Sequence, residues 1–457
     1  MQAKNKENDA TVLQLLFLLF TVSTAKQTIA AAGLMLFLFT SLGAQNVLTL
    51  EQAKAATLEN NYGIKIAANN VLIAENNTDP RANGYLPTVN ATGQVTSSLG
   101  GSTQTFNSGM ENVVSNAFTW GANAGINANY TVLDRRRDLT LEQLKQNVDL
   151  TSLQLQQEIE QNLLQIYSAY YQVAQAAENI EVLENTIDIS RERLQRADYG
   201  LEYGQGSGLD VLNARVDIQR DSVNLINARQ QLINAKRNLN VLIGRNTTEV
   251  FQVDTTVVYN SDLDYAVLAA AARENNVTLR ANRKSLEVNA VTLDIIDAEK
   301  KPVVTAGLGY TYNYSDNAAE AFITSSSSRG LGANVGVAWN IFDGGSRNIR
   351  EQNTRLNLTN QKLQITRLEQ QTERDLLNLW EGYQNALFIL EVEAQAVATN
   401  RENFERTREQ LNIGRLTSLE FRQAQLNLLN AQVNLNRAKY DAKVRELEVL
   451  QLAGQLP

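Results

Sequence analysis

The sequence predicts an α+β membrane protein in which long antiparallel helical hairpins of the coiled-coil kind join strands that cross a bilayer. Three observations carry this. Four segments alternate between apolar residues and small or uncharged polar ones. Two very long stretches hold almost no helix breaker and place apolar residues in steps of three and four. The whole arrangement occurs twice along the chain.

Internal repetition organises everything else. An offset of 210 pairs Gly204-Gln205-Gly206-Ser207-Gly208-Leu209-Asp210 with Gly414-Arg415-Leu416-Thr417-Ser418-Leu419-Glu420, and also Ala214 with Ala424, Ala228 with Ala438 and Gly244 with Gly454. Upstream the offset is 209 for Asp134 and Asp343, and 215 for Pro87 and Pro302, as small loop insertions between matched units would produce. The expected division is a leader over 1–44, a first repeat over 45–249, a linker over 250–261 and a second repeat over 262–457. Each repeat begins with a helix, at about 50–81 and at about 264–300 with a break near Asn275. A proline follows, at a strand start where its missing N–H is tolerated. Then come two strands, a very long helix, a glycine-containing turn and a return helix ending at Gly244 or Gly454.

The strands are the most specific local signal. Phe118, Trp120, Ala122, Ala124, Ile126, Ala128, Tyr130 and Val132 alternate with Thr, Gly and Asn. The same pattern runs through Val89 to Leu99, Val304 to Tyr314 and Leu331 to Ile341. Period-two alternation gives one apolar and one polar face. The polar faces carry Asn, Thr, Gln, Ser and Gly without charge, whereas a soluble sheet's wet face usually carries Lys and Glu. Each segment reaches the ~9–11 residues of a membrane strand. Phe118, Trp120, Tyr130, Tyr310, Tyr312, Tyr314 and Trp339 are expected at strand ends, as interfacial girdles require. Four strands leave open edges that hydrocarbon cannot satisfy. Two copies would make eight strands with a side-chain-filled interior, and three would make twelve with room for a pore. Geometry therefore favours a trimer.

From Arg135 to Tyr199 there is no Gly or Pro, and a similar run from Ser346 to Ile413 is interrupted only by Gly382. The seam Leu141, Leu144, Val148, Leu155, Ile159, Leu163, Ile166, Tyr170, Val173 resembles that of a coiled coil. One narrow seam is stable only against partners. Alanines recur on the return helices, where they would permit close packing or merely favour helix. Asp134 is expected to cap the first long helix, with Arg135-Arg136-Arg137 as a solvated start or facing lipid phosphates.

Composition narrows the chemistry. The 457 residues suggest roughly two or three domains, and 43% hydrophobic with 20% charged residues excludes wholesale disorder. With no Cys and no His, thiol nucleophiles, histidine acid–base pairs and the usual zinc sites are excluded. Net charge is −8 without a basic tract, so nucleic acid is not an expected partner. Lys26, the apolar run Ile29 to Phe39 and Ser41-Leu42-Gly43-Ala44 read as a secretory signal cleaved before Gln45. A second apolar run, Val12 to Phe20, fits either a start codon placed too early or a membrane anchor.

The duplicated "GQGSGLDVLNA" (Gly204 to Ala214) and "GRLTSLEFRQA" (Gly414 to Ala424), "YTVLD" ending at Asp134 and "WNIFDGG" from Trp339 to Gly345 give nearly all of the chain after the leader a likeness to one family. It resembles the TolC-like outer-membrane efflux proteins. That resemblance implies a homotrimer with a twelve-stranded barrel in the outer membrane and an α-helical periplasmic tunnel. It also implies docking to a periplasmic adaptor and an inner-membrane pump, or to a type I secretion apparatus. By motif position it puts gate carboxylates at Asp210 and Glu420. Rings of carboxylates at a narrow entrance attract cations and repel each other. Ser207-x-x-Asp210 and Thr417-x-x-Glu420 also read as capping boxes, a role that needs no gate. The family's basic residue two positions after the second-tip glycine is Leu416 here, preceded by Arg415. The tip residues Gly204, Ser207, Gly208, Leu209, Gly414, Leu416, Thr417 and Leu419 are the candidates for adaptor contact, with ordinary turn chemistry as the alternative for the glycines.

The expected function is an export duct without its own energy source, passing drugs, metabolites, metals or secreted proteins. A secreted periplasmic coiled-coil structural or adaptor protein is the alternative. No catalytic constellation, cofactor site or metal site is expected.

Overall fold

The structure, a computed structural model, describes residues 47–260, 262–317 and 323–457. The expected leader over 1–44 lies outside the described residues. The first half contains β1 (Val47–Leu48), α1 (Leu50–Asn60), α2 (Tyr62–Asn77), β2 (Thr88–Thr105), β3 (Glu111–Leu133), α3 (Arg135–Glu202) and α4 (Gly208–Leu242). The second contains β4 (Gln252–Val253), α5 (Tyr265–Asn275), α6 (Val277–Ala298), β5 (Val303–Asp316), β6 (Ser325–Ala338), α7 (Ser346–Asn412) and α8 (Ser418–Leu452). The two halves repeat the same element order.

The long helices form as the absence of breakers requires. α3 has 68 residues and α7 has 67, so each spans roughly 100 Å at about 1.5 Å per residue. α3 packs on α4 to make the first hairpin, and α7 on α8 to make the second. The hairpins meet through α3 and α8. Accordingly α8 buries Ala424, Ala431, Ala438 and Ala442, whereas α4, whose main partner is α3, buries only Ala214 of its alanines.

The helix expected over 50–81 is instead two helices, broken at Asn61. One carboxamide explains the break. Asn61 Oδ1 accepts from the N–H of Ile64 at 3.2 Å, capping α2, and its Nδ2 donates to the Leu242 carbonyl at the end of α4, 3.1 Å away. Asn276 repeats both bonds with Leu279 and Leu452, each at 3.0 Å. Gly244 and Gly454 complete the two junctions at φ +70° and +68°. A Cβ on Gly244 would lie 2.7 Å from Asn60 Cβ, and one on Gly454 would lie 2.7 Å from the Asn275 carbonyl oxygen. The junctions stack α4 under α2 and α8 under α6. Each long helix is therefore faced along its length by two shorter ones.

The principal core lies at this level. It combines Ile166, Tyr167, Tyr170 and Val173 of α3 with Leu239, Ile243, Phe251, Tyr440 and Leu447. The extended segment 252–260 crosses it and is held by side chains. Asp254 N donates to Tyr170 Oη (3.0 Å), Tyr440 Oη donates to Thr255 O (3.2 Å) and Lys443 Nζ to Val258 O (2.7 Å). In return Tyr259 Oη donates to Lys439 O (2.6 Å). These bonds fix a strap that has little ladder pairing of its own.

The sheet is antiparallel throughout, in the order β2-β3-β5-β6. Register places Val89, Ala128, Leu308 and Ala333 in one row of the apolar face. The next rows of the other face are Asn90, Asn127, Gly309 and Gly332, then Gln94, Asn123, Asn313 and Ser328 further along. Nearly all of its side chains are exposed or half-buried on both faces in the single chain. Among the described residues no helix is long and apolar enough to cross a membrane.

Two strand expectations need correction. β6 begins at Ser325 and stops at Ala338, so Trp339 and Ile341 lie beyond it; Trp339 Nε1 donates to the Lys300 carbonyl at 3.0 Å instead. The earlier start also brings Arg329 onto the apolar face, opposite Tyr312. Phe118 and Trp120 lie inside β3, because the β2–β3 ribbon continues past them to Thr105 and Glu111. They still mark a boundary. Trp120 packs on Tyr314 with ring centroids 5.2 Å apart, and Tyr130 lies on the same face of β3 nearer the helices. The ten-residue step between Trp120 and Tyr130 covers about 33 Å along the strand. A tilt of about 40° reduces this to about 25 Å, the height of an outer-membrane barrel's apolar band.

Asp134 caps α3 as expected, accepting from Arg136 N at 3.0 Å. Arg137 is more than a solvated helix start. Its Nη1 donates to Gly84 O (2.9 Å) and Thr131 O (2.8 Å), and its guanidinium lies 4.0 Å from the centre of the Tyr85 ring.

Candidate functional site

The hairpin turns at the ends furthest from the sheet hold the expected site residues. Gly204 and Gly414 adopt φ +72° and +70°, which glycine alone takes without strain. Each turn closes by a backbone bond back into the outgoing helix: Gln205 N to Gly200 O (2.8 Å) and Arg415 N to Gln410 O (2.9 Å). Gly206, not singled out in the sequence, is required by close approach, since a Cβ there would stand 3.0 Å from the Gly200 carbonyl carbon. Gly208 begins α4 with open space around it and no positive φ.

Both capping boxes form. Ser207 Oγ accepts from Asp210 N (3.2 Å) while Ser207 N donates to Asp210 Oδ2 (3.2 Å). Thr417 Oγ1 accepts from Glu420 N (3.3 Å) while Thr417 N donates to Glu420 Oε2 (2.8 Å). The backbone N–H and hydroxyl of Thr417 hold the Glu420 carboxyl below its ordinary range. Each carboxylate thus starts a helix and still borders solvent, Glu420 fully and Asp210 in part.

The two carboxylates are not brought together. Arg422 of α8 meets Asp221 of α4, and Arg408 of α7 meets Glu192 of α3 at 3.1 Å. Asp221 stands about nine residues further from its turn than Arg422 does, so the first hairpin projects past the second by roughly 10–13 Å at about 1.5 Å per residue. Asp210 and Glu420 therefore lie at different heights. Between the staggered tips runs a groove of about 880 Å³, bordered by Arg193, Tyr199, Tyr203, Asp210 and Leu416.

Leu209 and Leu419 are exposed at 65% and 79%. Leu416 is half-buried on the groove wall. Sequence reading missed three exposed apolar neighbours, Tyr199, Tyr203 and Ile413. The spacing of the two tyrosines, past the last seam leucine, was the available signal. It also missed the buried pair Arg422 and Asp221. Here the repeat itself breaks: the offset partner of Arg422 is Leu212, and that of Asp221 is Ala431. Among the described residues no group of acidic side chains could hold a metal ion.

Comparison with known proteins follows the same outline. The outer membrane efflux protein family model matches residues 50–245 and 268–455. The outer membrane protein TolC of Vibrio cholerae is 21% identical over 337 residues, covering 73% of this chain and 76% of that one. Two solved structures share the fold: the CmeC outer membrane channel of Campylobacter jejuni, at TM-score 0.71 and 14% identity over 89% of this chain and 85% of that one, and VceC of Vibrio cholerae, at 0.68 and 14% over 89% and 96%. The chain belongs to the outer membrane efflux protein family, and is an outer-membrane efflux channel whose long helices form a large periplasmic part.

Proposed function

We propose that three copies of this chain form one exit duct, a twelve-stranded barrel continuous with a tunnel of six hairpins, which receives cargo from a periplasmic adaptor and an inner-membrane pump. The single observation that carries this reading is the four-stranded sheet, which among the described residues has two open edges, β2 and β6, and no layer packed on either face. In hydrocarbon each unpaired edge group costs several kcal/mol, so β2 of one copy pairs with β6 of the next.

The helices support the same closure. α4 and α7 flank the helical layer, and both carry exposed apolar stripes. On α4 these are Leu212, Val216, Val223 and Ile226; on α7 they are Ile349, Leu356 and Leu363. Spacings of three, four and seven are those of a seam awaiting a partner helix. Packing α4 against α7 of the neighbouring copy closes sheet and tunnel by one rotation.

At the far end, Leu209, Leu416 and Leu419 with Gly204, Ser207, Gly208, Gly414 and Thr417 form the adaptor contact, the apolar tips being covered by a partner's helical hairpin. Asp210 and Glu420 form carboxylate rings at two heights of the tunnel entrance. Cargo is a small molecule (a drug, metabolite or metal) or a secreted protein, driven by the pump rather than by the duct. Residues 1–44 direct export and are removed, and 45–249 and 262–457 act as paired repeats about the linker 250–261.

Reconstitution in planar bilayers tests the gate. Asp210→Asn and Glu420→Gln should each weaken divalent-cation block, and the double variant should weaken it most. Block that is identical in all three variants and the parent would remove the gate assignment.

A further inference from the structure

Charge is almost absent from the large sheet. Its four strands carry three charged residues, Glu111, Asp316 and Arg329. Glu111 opens β3 and Asp316 ends β5, so both sit at the outer margin, away from the helices. Arg329 lies four residues inside the start of β6, exposed and on the apolar face. It is the one cation of the sheet among the described residues, and its guanidinium has no ion pair among them.

The duplication sets the height of Arg329. The offsets of 209 and 215 hold through the sheet, since Leu99 opposite Phe118 in the first hairpin becomes Tyr314 opposite Ser327 in the second. By the first offset Arg329 takes the place of Trp120, the outer girdle residue. Equivalent places on repeated hairpins of one barrel share one height. Along the hydrogen-bonded row Arg329 is level with Ala124, four residues from Trp120. Tilted, staggered strands produce such a step when two of them are crossed. Arg329 therefore stands where the apolar band meets the outer interface. A charge there costs far less than at the midplane, and its long side chain can carry the head outward.

Its surroundings differ from those of Trp120. Trp120 Nε1 donates to Asp316 at 3.1 Å. The residue of β2 in the place of Asp316 is Gly101, so the next copy would bring no carboxylate beside Arg329. What flanks Arg329 on its own face is hydroxyl. Tyr312 lies directly opposite, Tyr310 and Tyr314 lie to either side on β5, and Ser325 and Ser327 follow towards the outer end of β6. A guanidinium fork takes a phosphate by paired N–H bonds, and hydroxyl groups nearby can donate to its remaining oxygens.

We propose that Arg329 is the centre of a lipid site, one per chain, that holds the phosphate of a phosphorylated glycolipid in the outer leaflet, with the hydroxyls of Tyr312 and Ser327 as further donors. The sheet's end away from the periplasmic helices meets the outer leaflet, where phosphate is carried on acylated sugar. The site lies on β6, the edge proposed to pair with β2 of the next copy, so bound lipid would lie against that seam. Its exposure to lipid rests on the barrel reading.

Native mass spectrometry of the detergent-extracted oligomer tests the site with three added lipids: a phosphorylated acyl-glucosamine disaccharide, its dephosphorylated form and phosphatidylglycerol. The parent should retain the phosphorylated disaccharide about tenfold more than either of the others. Arg329→Gln should lose that preference, and Arg329→Lys should keep part of it. Arg329→Trp, which restores the residue of the first repeat, should assemble fully and lose the preference, so that loss of the site is read apart from loss of fold. Equal retention of the phosphorylated and dephosphorylated disaccharides by the parent would overturn the proposal. So would equal retention of the phosphorylated one by the parent and Arg329→Gln, or of phosphatidylglycerol and the disaccharide by the parent. A protein that stays monomeric and soluble would remove the barrel reading and the site with it, whereas an intact oligomer without the preference removes the site alone.

Discussion

Asn61 and Asn276 show how much of the architecture turns on single side chains. Each carboxamide ends one helix, starts the next and satisfies a carbonyl of a return helix. Asn61→Ala removes a cap and leaves the Leu242 carbonyl without that donor, at a cost of about 1–2 kcal/mol. Gly244→Ala forces alanine to φ +70° against Asn60, at roughly 1–3 kcal/mol. Thermal unfolding followed by helix content should rank both below the parent and leave Gly382→Ala, which meets nothing within 4 Å, at or above it. At the tips, the Glu420 carboxyl is depressed by its bonds with Thr417. A depressed acid contributes fully above its unfolded value and loses its effect as pH falls through the folded one. Cation block that depends on Glu420 should therefore persist down to the ordinary value of 4.5 and fade only below it. Conductance titrations that lose the block well above that pH would contradict the assignment. The asparagine junctions were legible in part: Glu59-Asn60-Asn61 recurs as Glu274-Asn275-Asn276. Only the second break was expected, because "NYG" does not by itself end a helix that has good formers on both sides.

At the scale of elements, the alternating strands and the breaker-free helices were read correctly in kind because both signals are periodic and long. Their ends were not. β3 extends back to Glu111 and β2 on to Thr105 through Ser, Gly, Thr and Asn. These residues suit a turn as well as a polar ribbon, so composition could not set the limit there. The register separates an apolar face from a lumen-type face and makes a paired prediction. Ile126→Arg places a charge near the middle of the apolar band, costing about 2–4 kcal/mol. Its yield of heat-resistant oligomer should drop sharply. Asn123→Lys, on the opposite face between Gln94 and Asn313, should assemble normally and shift the channel's ion selectivity toward anions. Reversal potentials in a salt gradient would read that shift. Equal assembly of the two variants would mean that the faces had been assigned wrongly.

The whole molecule reads as an unfinished object. Its sheet has two open edges, and its helical layer ends in α4 and α7 with apolar stripes exposed. Duplication was plain in the sequence, since the tip motifs repeat at a constant offset. What the repeat concealed was its own asymmetry. The stagger of the two tips and the buried pair of Arg422 with Asp221 depend on positions where the halves differ, and a reading built on likeness passes over those. Assembly is the central claim, and the oligomer extracted from the outer membrane tests it most directly. Native mass spectrometry of the detergent-extracted protein should give one species of three chains that opens a conducting path in a bilayer. A monomer or dimer that remains soluble without detergent would contradict the account.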